Sequence, residues 1–109
     1  MLKENNISFN EHTDLTGVLK DSDIVYVTRV QRERFTDPIE YEKVKNAYVL
    51  DASTLADTKP NLKVLHPLPR VNEISVDVDD TEKAYYFQQA LNGVYARMAI
   101  ISLILGLKN

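Results

Sequence analysis

The chain has 109 residues, 44% of them hydrophobic and 27% charged, close to the averages of soluble globular proteins, which excludes disordered and collagen-like classes and leaves room for one modest core. A net charge of −3 excludes the clustered basic face that nucleic acid requires, so any anion site must be local. Cysteine is absent, which excludes a disulfide framework, a thiolate nucleophile and a Cys-ligated zinc site.

Neither end suggests a membrane. The opening Met1-Leu2-Lys3-Glu4-Asn5-Asn6 has no long apolar run behind a basic start, and the most apolar stretch, Val94 to Leu107, is interrupted by Arg97 and is shorter than the roughly 20 residues needed to cross a bilayer. A cytoplasmic protein is expected.

The first predicted element is a short half-buried strand from Ile7 to near His12, where Ile7 and Phe9 alternate with polar residues. Thr13 or Asp14 then offers an N-cap for a helix whose Leu15, Val18 and Leu19 follow i, i+3, i+4 spacing. Ile24-Val25-Tyr26-Val27-Thr28 is a continuous β-branched and aromatic run suited to a strand buried on both faces. After a polar loop, Asp37 as N-cap, Pro38 at N1 and Glu40 at N3 write a helix start with a capping box, running to about Ala47.

Tyr48 to Leu50 reads as a short strand and Asp51 to Ala56 as a short capped helix, which must stop before Pro60 because proline drives its predecessor out of the helical region. Lys63-Val64-Leu65 makes a further strand, ended by the stiff His66-Pro67-Leu68-Pro69. Beyond an acidic loop, Asp77 to Asp80, a long final helix capped at Asp80 or Thr81 carries Phe87, Leu91, Val94, Met98, Ile101 and Leu105 along one stripe that wants a partner surface. Strands separated by helices predict an α/β fold with a mostly parallel sheet flanked by helices.

In open α/β sheets the ligand crevice lies beyond the carboxyl ends of the strands, which directs attention to two segments. The first is Thr28-Arg29-Val30-Gln31-Arg32-Glu33-Arg34, where the Arg29 guanidinium can hold a carboxylate bidentately and Glu33 can fix it by an ion pair. The same segment also suits a plain solvated charged loop. The second is His66-Pro67-Leu68-Pro69-Arg70, whose prolines remove backbone donors and leave stiff carbonyl acceptors able to receive an amino group. It suits equally a rigid strand-closing loop, with a cis bond before Pro69.

Other chemistries find little support. His12 and His66, the two histidines, have no short-spaced partner for a metal, and Asp77-Val78-Asp79-Asp80 lacks the glycine and distal Glu of a calcium loop. The three glycines, Gly17, Gly93 and Gly106, spell neither a P-loop nor a dinucleotide fingerprint. No metal or organic cofactor is expected.

Taken together, Tyr26 to Phe35, Val64-Leu65-His66-Pro67-Leu68-Pro69-Arg70-Val71-Asn72-Glu73-Ile74 and Tyr86-Phe87-Gln88-Gln89-Ala90 resemble the aspartate carbamoyltransferase family, in order and over nearly the whole chain. The resemblance implies one half of a two-domain fold: residues 1–80 as part of the aspartate-binding α/β domain, and residues 81–109 as a C-terminal helix that packs back on a carbamoyl-phosphate domain. It implies the transfer of a carbamoyl group from carbamoyl phosphate to L-aspartate, in pyrimidine biosynthesis, by a homotrimeric enzyme. Carried over, Arg29 grips a carboxylate of aspartate, Gln31 helps place the substrate and Glu33 orients Arg29. The carbonyls of Pro67 and Leu68 hold the reacting amino group, with His66 in support, and Arg70 shapes the loop between the two ligands.

The family's phosphate-cradling Ser-Thr-Arg-Thr stretch has no counterpart here, so no complete catalytic set is expected in this chain and little activity from it alone. An ornithine-type carbamoyltransferase resembles His-Cys-Leu-Pro where this chain has His66-Pro67-Leu68-Pro69, and is disfavoured. The alternative from another class is a non-catalytic module that binds a dicarboxylate or another chain.

Overall fold

The computed structural model describes residues 4–29, 36–45 and 49–107. Helix α1, Leu15–Leu19, starts where Asp14 accepts a hydrogen bond from the Thr16 N–H at 3.1 Å, which settles the cap on Asp14 and satisfies one of the helix's orphan donors. It ends as the Ser22 hydroxyl takes the Val18 carbonyl at 2.8 Å. The single buried residue of α1, Leu19, is its anchor in the core.

Strand β1, Ile24–Tyr26, pairs in parallel with β2, Lys63–Leu65, in the register Ile24–Lys63, Val25–Val64 and Tyr26–Leu65. Flanking bonds from the Lys63 N–H to the Asp23 carbonyl, 3.0 Å, and from the Val27 N–H to the Leu65 carbonyl, 2.9 Å, extend the ladder at both ends. The expectation that β1 is buried on both faces fails. Val25 and Val27 pack against the core, but Ile24 and Tyr26 are 61% and 54% exposed, because among the described residues only one face of the strand is covered.

Helix α2, Pro38–Lys45, begins as its sequence dictates, the Asp37 carboxylate accepting from the Ile39 N–H at 2.9 Å. Its expected end near Ala47 lies outside the described residues. The strand expected at Tyr48 to Leu50 is reduced, within the described residues, to one parallel bridge between Leu50 and Ile74, held by Leu50 N–H to Glu73 carbonyl at 2.9 Å and Ser75 N–H to Leu50 carbonyl at 2.8 Å.

Three expected elements are corrected. Residues 7–12 form no strand, with Ile7 and Phe9 exposed, since no described segment offers them a ladder. Asp51 to Ala56 is a run of turns and not a helix. There the Asp51 carboxylate caps Thr54 as expected, at 2.7 Å, but the following bonds, Ala56 to Ser53 and Thr58 to Leu55, close three-residue turns ahead of Pro60. The final helix, α3, spans Tyr86–Ile104 and has no side-chain cap at its N-terminus. It starts five residues after Thr81 because the intervening chain joins the sheet: Val64 donates to the Lys83 carbonyl at 2.8 Å and Tyr85 donates to the Val64 carbonyl at 3.1 Å. The ladder wins over the local capping signal.

At the other end of α3 the Gly106 N–H reaches the Leu103 carbonyl and the Leu107 N–H the Ser102 carbonyl, at 3.2 and 2.8 Å. This two-bond closure needs the left-handed backbone of Gly106, φ +71°, which costs glycine nothing. The acidic segment Val76–Asp80 is a 3-10 turn.

Leu19, Leu50, Leu55, Leu62, Val64, Ile74, Val78 and Tyr86 form the core. Of α3, only Tyr86 is buried. Phe87, Leu91, Val94, Met98, Ile101 and Leu105 are all exposed, and the radius of gyration, 17.3 Å, exceeds the roughly 13 Å of a compact domain of this length. No described helix is long and apolar enough to cross a membrane.

Candidate functional site

The loop that follows β2 is fixed from beneath by His66, which is only 2% exposed. Its Nδ1 accepts the Leu68 backbone N–H at 2.8 Å. A ring nitrogen that accepts carries no proton, so Nε2 bears it and donates to Glu73 Oε1, 2.7 Å away. Glu73, also buried, turns its other lone pairs on the same loop, accepting from the N–H groups of Val71 at 3.2 Å and Asn72 at 3.1 Å. The loop is thus clamped at both of its ends by one imidazole–carboxylate pair.

From α3, the Gln89 Oε1 accepts the His66 backbone N–H at 3.0 Å, closing the donor that the end of β2 would otherwise leave open. With these bonds in place Leu68 is held at φ +52°, a left-handed conformation that costs a non-glycine residue about 1–2 kcal/mol. The Leu68–Pro69 peptide is cis, as its sequence context allowed.

A second network anchors the far side of the loop. Both guanidinium arms of Arg70 meet Asp79, Nη2 at 2.6 Å from Oδ2 and Nη1 against Oδ1. The Tyr86 hydroxyl donates to the same Oδ1 and accepts from Arg70 Nη1 at 3.1 Å. Arg70 is therefore committed inward, with its charge stacked 5.6 Å from the Tyr86 ring.

These contacts set the titration of the site. The side-chain hydrogen bond from Arg70 holds the Asp79 carboxyl below its ordinary value, and the same pairing pushes Arg70 further up. Burial alone would raise Glu73, but hydrogen bonds from its own backbone N–H, His66 and Val71 outweigh it and hold the group below its ordinary value. Asp51, bonded by the Thr54 and Ser53 side chains, is lowered to about 2. Burial, and then Asp79, pushes Tyr86 up to about 12.

A carboxylate that is easier to ionise folded than unfolded contributes stability above its unfolded value and loses it as pH falls. A phenol harder to ionise when folded contributes below its unfolded value and loses it as pH rises. The contribution of these carboxylates and of Tyr86 is therefore expected to be level between about pH 4.5 and 10. It should fall from the ordinary carboxyl values of 3.8 and 4.5 down towards pH 2, and again from 10 up through about 12. Urea midpoints followed by circular dichroism check this; a midpoint unchanged between pH 5 and pH 3 would refute it.

Beside the loop, at the carboxyl ends of β1 and β2, an open depression of about 310 Å³ is lined by Tyr26, His66, Pro67, Gln89, Gly93 and Arg97. That is at the small end of ligand clefts, about 300–1,000 Å³. Gly93 leaves space for the Arg97 guanidinium, whose Nη1 lies 3.2 Å from where a Cβ would stand.

Of the residues singled out from sequence, His66, Pro67 and Leu68 come together in one loop beyond β2, and Arg29 sits exposed at the equivalent end of β1. Gln31 and Glu33 lie outside the described residues. Arg70 belongs to the loop but faces its support. Glu73 and Gln89 went unassigned by sequence reasoning. A buried histidine needing a partner for each ring nitrogen was the signal for Glu73, while nothing local marks Gln89.

The chain, a parallel α/β sheet with a stiff loop after β2 and an arginine after β1, belongs to the family described as aspartate/ornithine carbamoyltransferase, Asp/Orn binding domain, which it matches over residues 1–104. Within that family its relatives are aspartate carbamoyltransferases. The catalytic subunit from Bacteroides fragilis is 64% identical over 106 residues, covering 96% of this chain and 34% of that protein. The solved catalytic subunit of M. jannaschii aspartate transcarbamoylase superposes with a TM-score of 0.86 at 44% identity, covering 98% of this chain and 35% of that one. The Trypanosoma cruzi aspartate transcarbamoylase in complex with carbamoyl phosphate and aspartate gives 0.80 at 34% identity, covering 92% and 33%. The chain thus spans about a third of the length of the relatives it matches.

Proposed function

We propose that this chain supplies the L-aspartate-binding part of an aspartate carbamoyltransferase, in which the amine of aspartate attacks the carbonyl carbon of carbamoyl phosphate to give N-carbamoyl-L-aspartate and phosphate. The observation that carries this reading is that the preset loop His66 to Pro69 and Arg29 each follow the carboxyl end of one of the same two paired strands. An amino acid with a second carboxylate suits that pairing, because carbonyls receive its ammonium or amine while the guanidinium receives a carboxylate through two parallel hydrogen bonds.

In this reading Arg29 grips a substrate carboxylate, Gln31 helps to place it and Glu33 orients Arg29. The carbonyls of Pro67 and Leu68 meet the amine. His66 supports the loop, and Arg70 acts by holding it to Asp79 and Tyr86, without reaching a ligand. The chemistry needs no covalent intermediate, since holding two reactants in attack geometry is itself worth several orders of magnitude in rate.

The carbamoyl phosphate site belongs, in this reading, to the part of the family's catalytic subunit that lies beyond the matched third, and the exposed apolar stripe of α3 is the surface against which that part packs. The working enzyme is a cytoplasmic homotrimer of pyrimidine biosynthesis. The sequence has no counterpart of the family's Ser-Thr-Arg-Thr stretch, the source of donors that stabilise a leaving phosphate, usually the largest catalytic contribution.

The test is N-carbamoyl-L-aspartate formation by the purified chain, with and without a polypeptide carrying the rest of a catalytic subunit. Product is expected only with the addition, at a rate at least about a thousandfold above the chain alone. Product from the chain alone would overturn the division of labour. Product from neither would favour the non-catalytic dicarboxylate-binding module.

A further inference from the structure

We infer that His66 is a positioning residue whose Nδ1, by holding the Leu68 N–H inward, aims the Pro67 carbonyl at the substrate's amine. This rests on the reading that the loop receives an amino group, and goes beyond it in naming what sets the acceptor.

The Pro67–Leu68 peptide is planar and trans, so its N–H and C=O point in opposite directions. The N–H is bonded to His66 Nδ1 at 2.8 Å, and His66 is almost fully buried. The C=O of the same peptide, which belongs to Pro67, therefore points away from the interior, and Pro67 lines the depression at the strand ends. Rotating that peptide would break the Leu68–His66 bond and turn an acceptor into a donor facing an amine, which is repulsive.

The rest of the network makes the orientation specific to one tautomer. Nε2–H donates to Glu73 Oε1 at 2.7 Å, and Glu73 is itself fixed by the N–H groups of Val71 and Asn72. Glu73 cannot donate as a carboxylate, so it selects the tautomer with its proton on Nε2 and leaves Nδ1 free to accept. The chain of command runs from Glu73 through the imidazole to one peptide plane.

Two substitutions separate the ring's two halves. In His66→Asn the amide oxygen takes the place of Nδ1 and can keep the Leu68 bond; in His66→Gln the amide nitrogen takes the place of Nε2 and keeps only the Glu73 bond. Both are assayed for carbamoyl transfer in the complemented enzyme, with inhibition by succinate, the same dicarboxylate without the amine, as the second readout. Both variants lose activity, but unequally: His66→Gln is expected to fall about thirtyfold in kcat/KM for aspartate, a fall that scales with the 1–3 kcal/mol left by one unmade bond, and His66→Asn to fall several-fold less. Succinate inhibition is expected to change less than threefold in both.

Equal losses in the two variants, or succinate weakened in step with aspartate, would overturn the inference while leaving the proposed function intact. No product from the complemented wild type would sink that function and the inference with it. A third measurement stands apart from activity and from the folding of variants: the imidazole ¹⁵N shifts of the wild-type chain are expected to report a proton on Nε2, and a proton on Nδ1 would overturn the inference.

Discussion

Arg29→Ala is expected to lower kcat/KM for aspartate in the complemented enzyme by about a thousandfold, or about 4 kcal/mol, the range found when one partner of a desolvated charge pair is truncated. The loss should fall mainly on KM if the carboxylate is gripped equally in ground and transition states. Arg29→Lys keeps the charge but not the planar two-pronged donor, and should recover only part of the loss, remaining about tenfold or more below wild type. Folding should change by no more than about 1 kcal/mol, because Arg29 is exposed after the last residues of β1 and exposed polar or charged contacts are worth little. Steady-state kinetics on the three forms, with urea melts alongside, checks both halves. A change under about threefold would remove Arg29 from the site.

The second large effect concerns Tyr86, whose side chain is fully buried while its hydroxyl joins Arg70 and Asp79. Tyr86→Ala removes the largest side chain of the core and is expected to cost about 3–5 kcal/mol. In a domain whose total stability is about 5–15 kcal/mol, that leaves little folded protein at 37 °C. Tyr86→Phe keeps the ring and its edge contact with Phe87, 4.8 Å between centroids, and removes only the hydroxyl, at about 1–3 kcal/mol. The difference apportions Tyr86 between packing and the Arg70–Asp79 network. Equal losses in the two variants, read from denaturant midpoints, would mean that the hydroxyl carries nearly everything and the ring almost nothing.

What could be read in the chain beforehand follows the range of the forces involved. The caps at Asp14 and Asp37 bond to N–H groups two residues away, so the sequence carries the whole interaction and those helix starts were legible; the bond at Asp51 was legible too, but only turns follow it. The β-branched and aliphatic runs of β1 and β2 were legible for the same reason, as was the stiffness of His66 to Pro69. The start of α3 was not, because residues 83–85 obey Val64, some twenty positions away, and a capping signal at Asp80 or Thr81 has no knowledge of that strand.

The site divides in the same way. The placement of Arg29 and of the His66 to Pro69 loop directly after strands was visible. The inward role of Arg70 was not, since Asp79 and Tyr86 become its partners only when the 3-10 turn and α3 fold under the loop. The two-sided burial expected of β1 failed for a different reason: the residues of Ile24 to Tyr26 are apolar enough for a covering layer on each face, and among the described residues one of those layers is missing. The same excess shows along α3, where an apolar sequence meets solvent.

The way α3 is tied down has a mechanical consequence. Its first turn is stitched to β2 through Tyr85 and through Gln89 on the His66 N–H, and beyond Gln89 every large apolar side chain of the helix is exposed. Fifteen residues past Gln89 the helix reaches Ile104, about 22 Å away, a rod with its hinge at the loop that follows β2. A tilt of a few degrees at the tip turns the hinge by the same angle, and Gln89 sits on that hinge. A force that tilts α3 would therefore act first on the bond between Gln89 and the His66 backbone, at the base of the loop that follows β2.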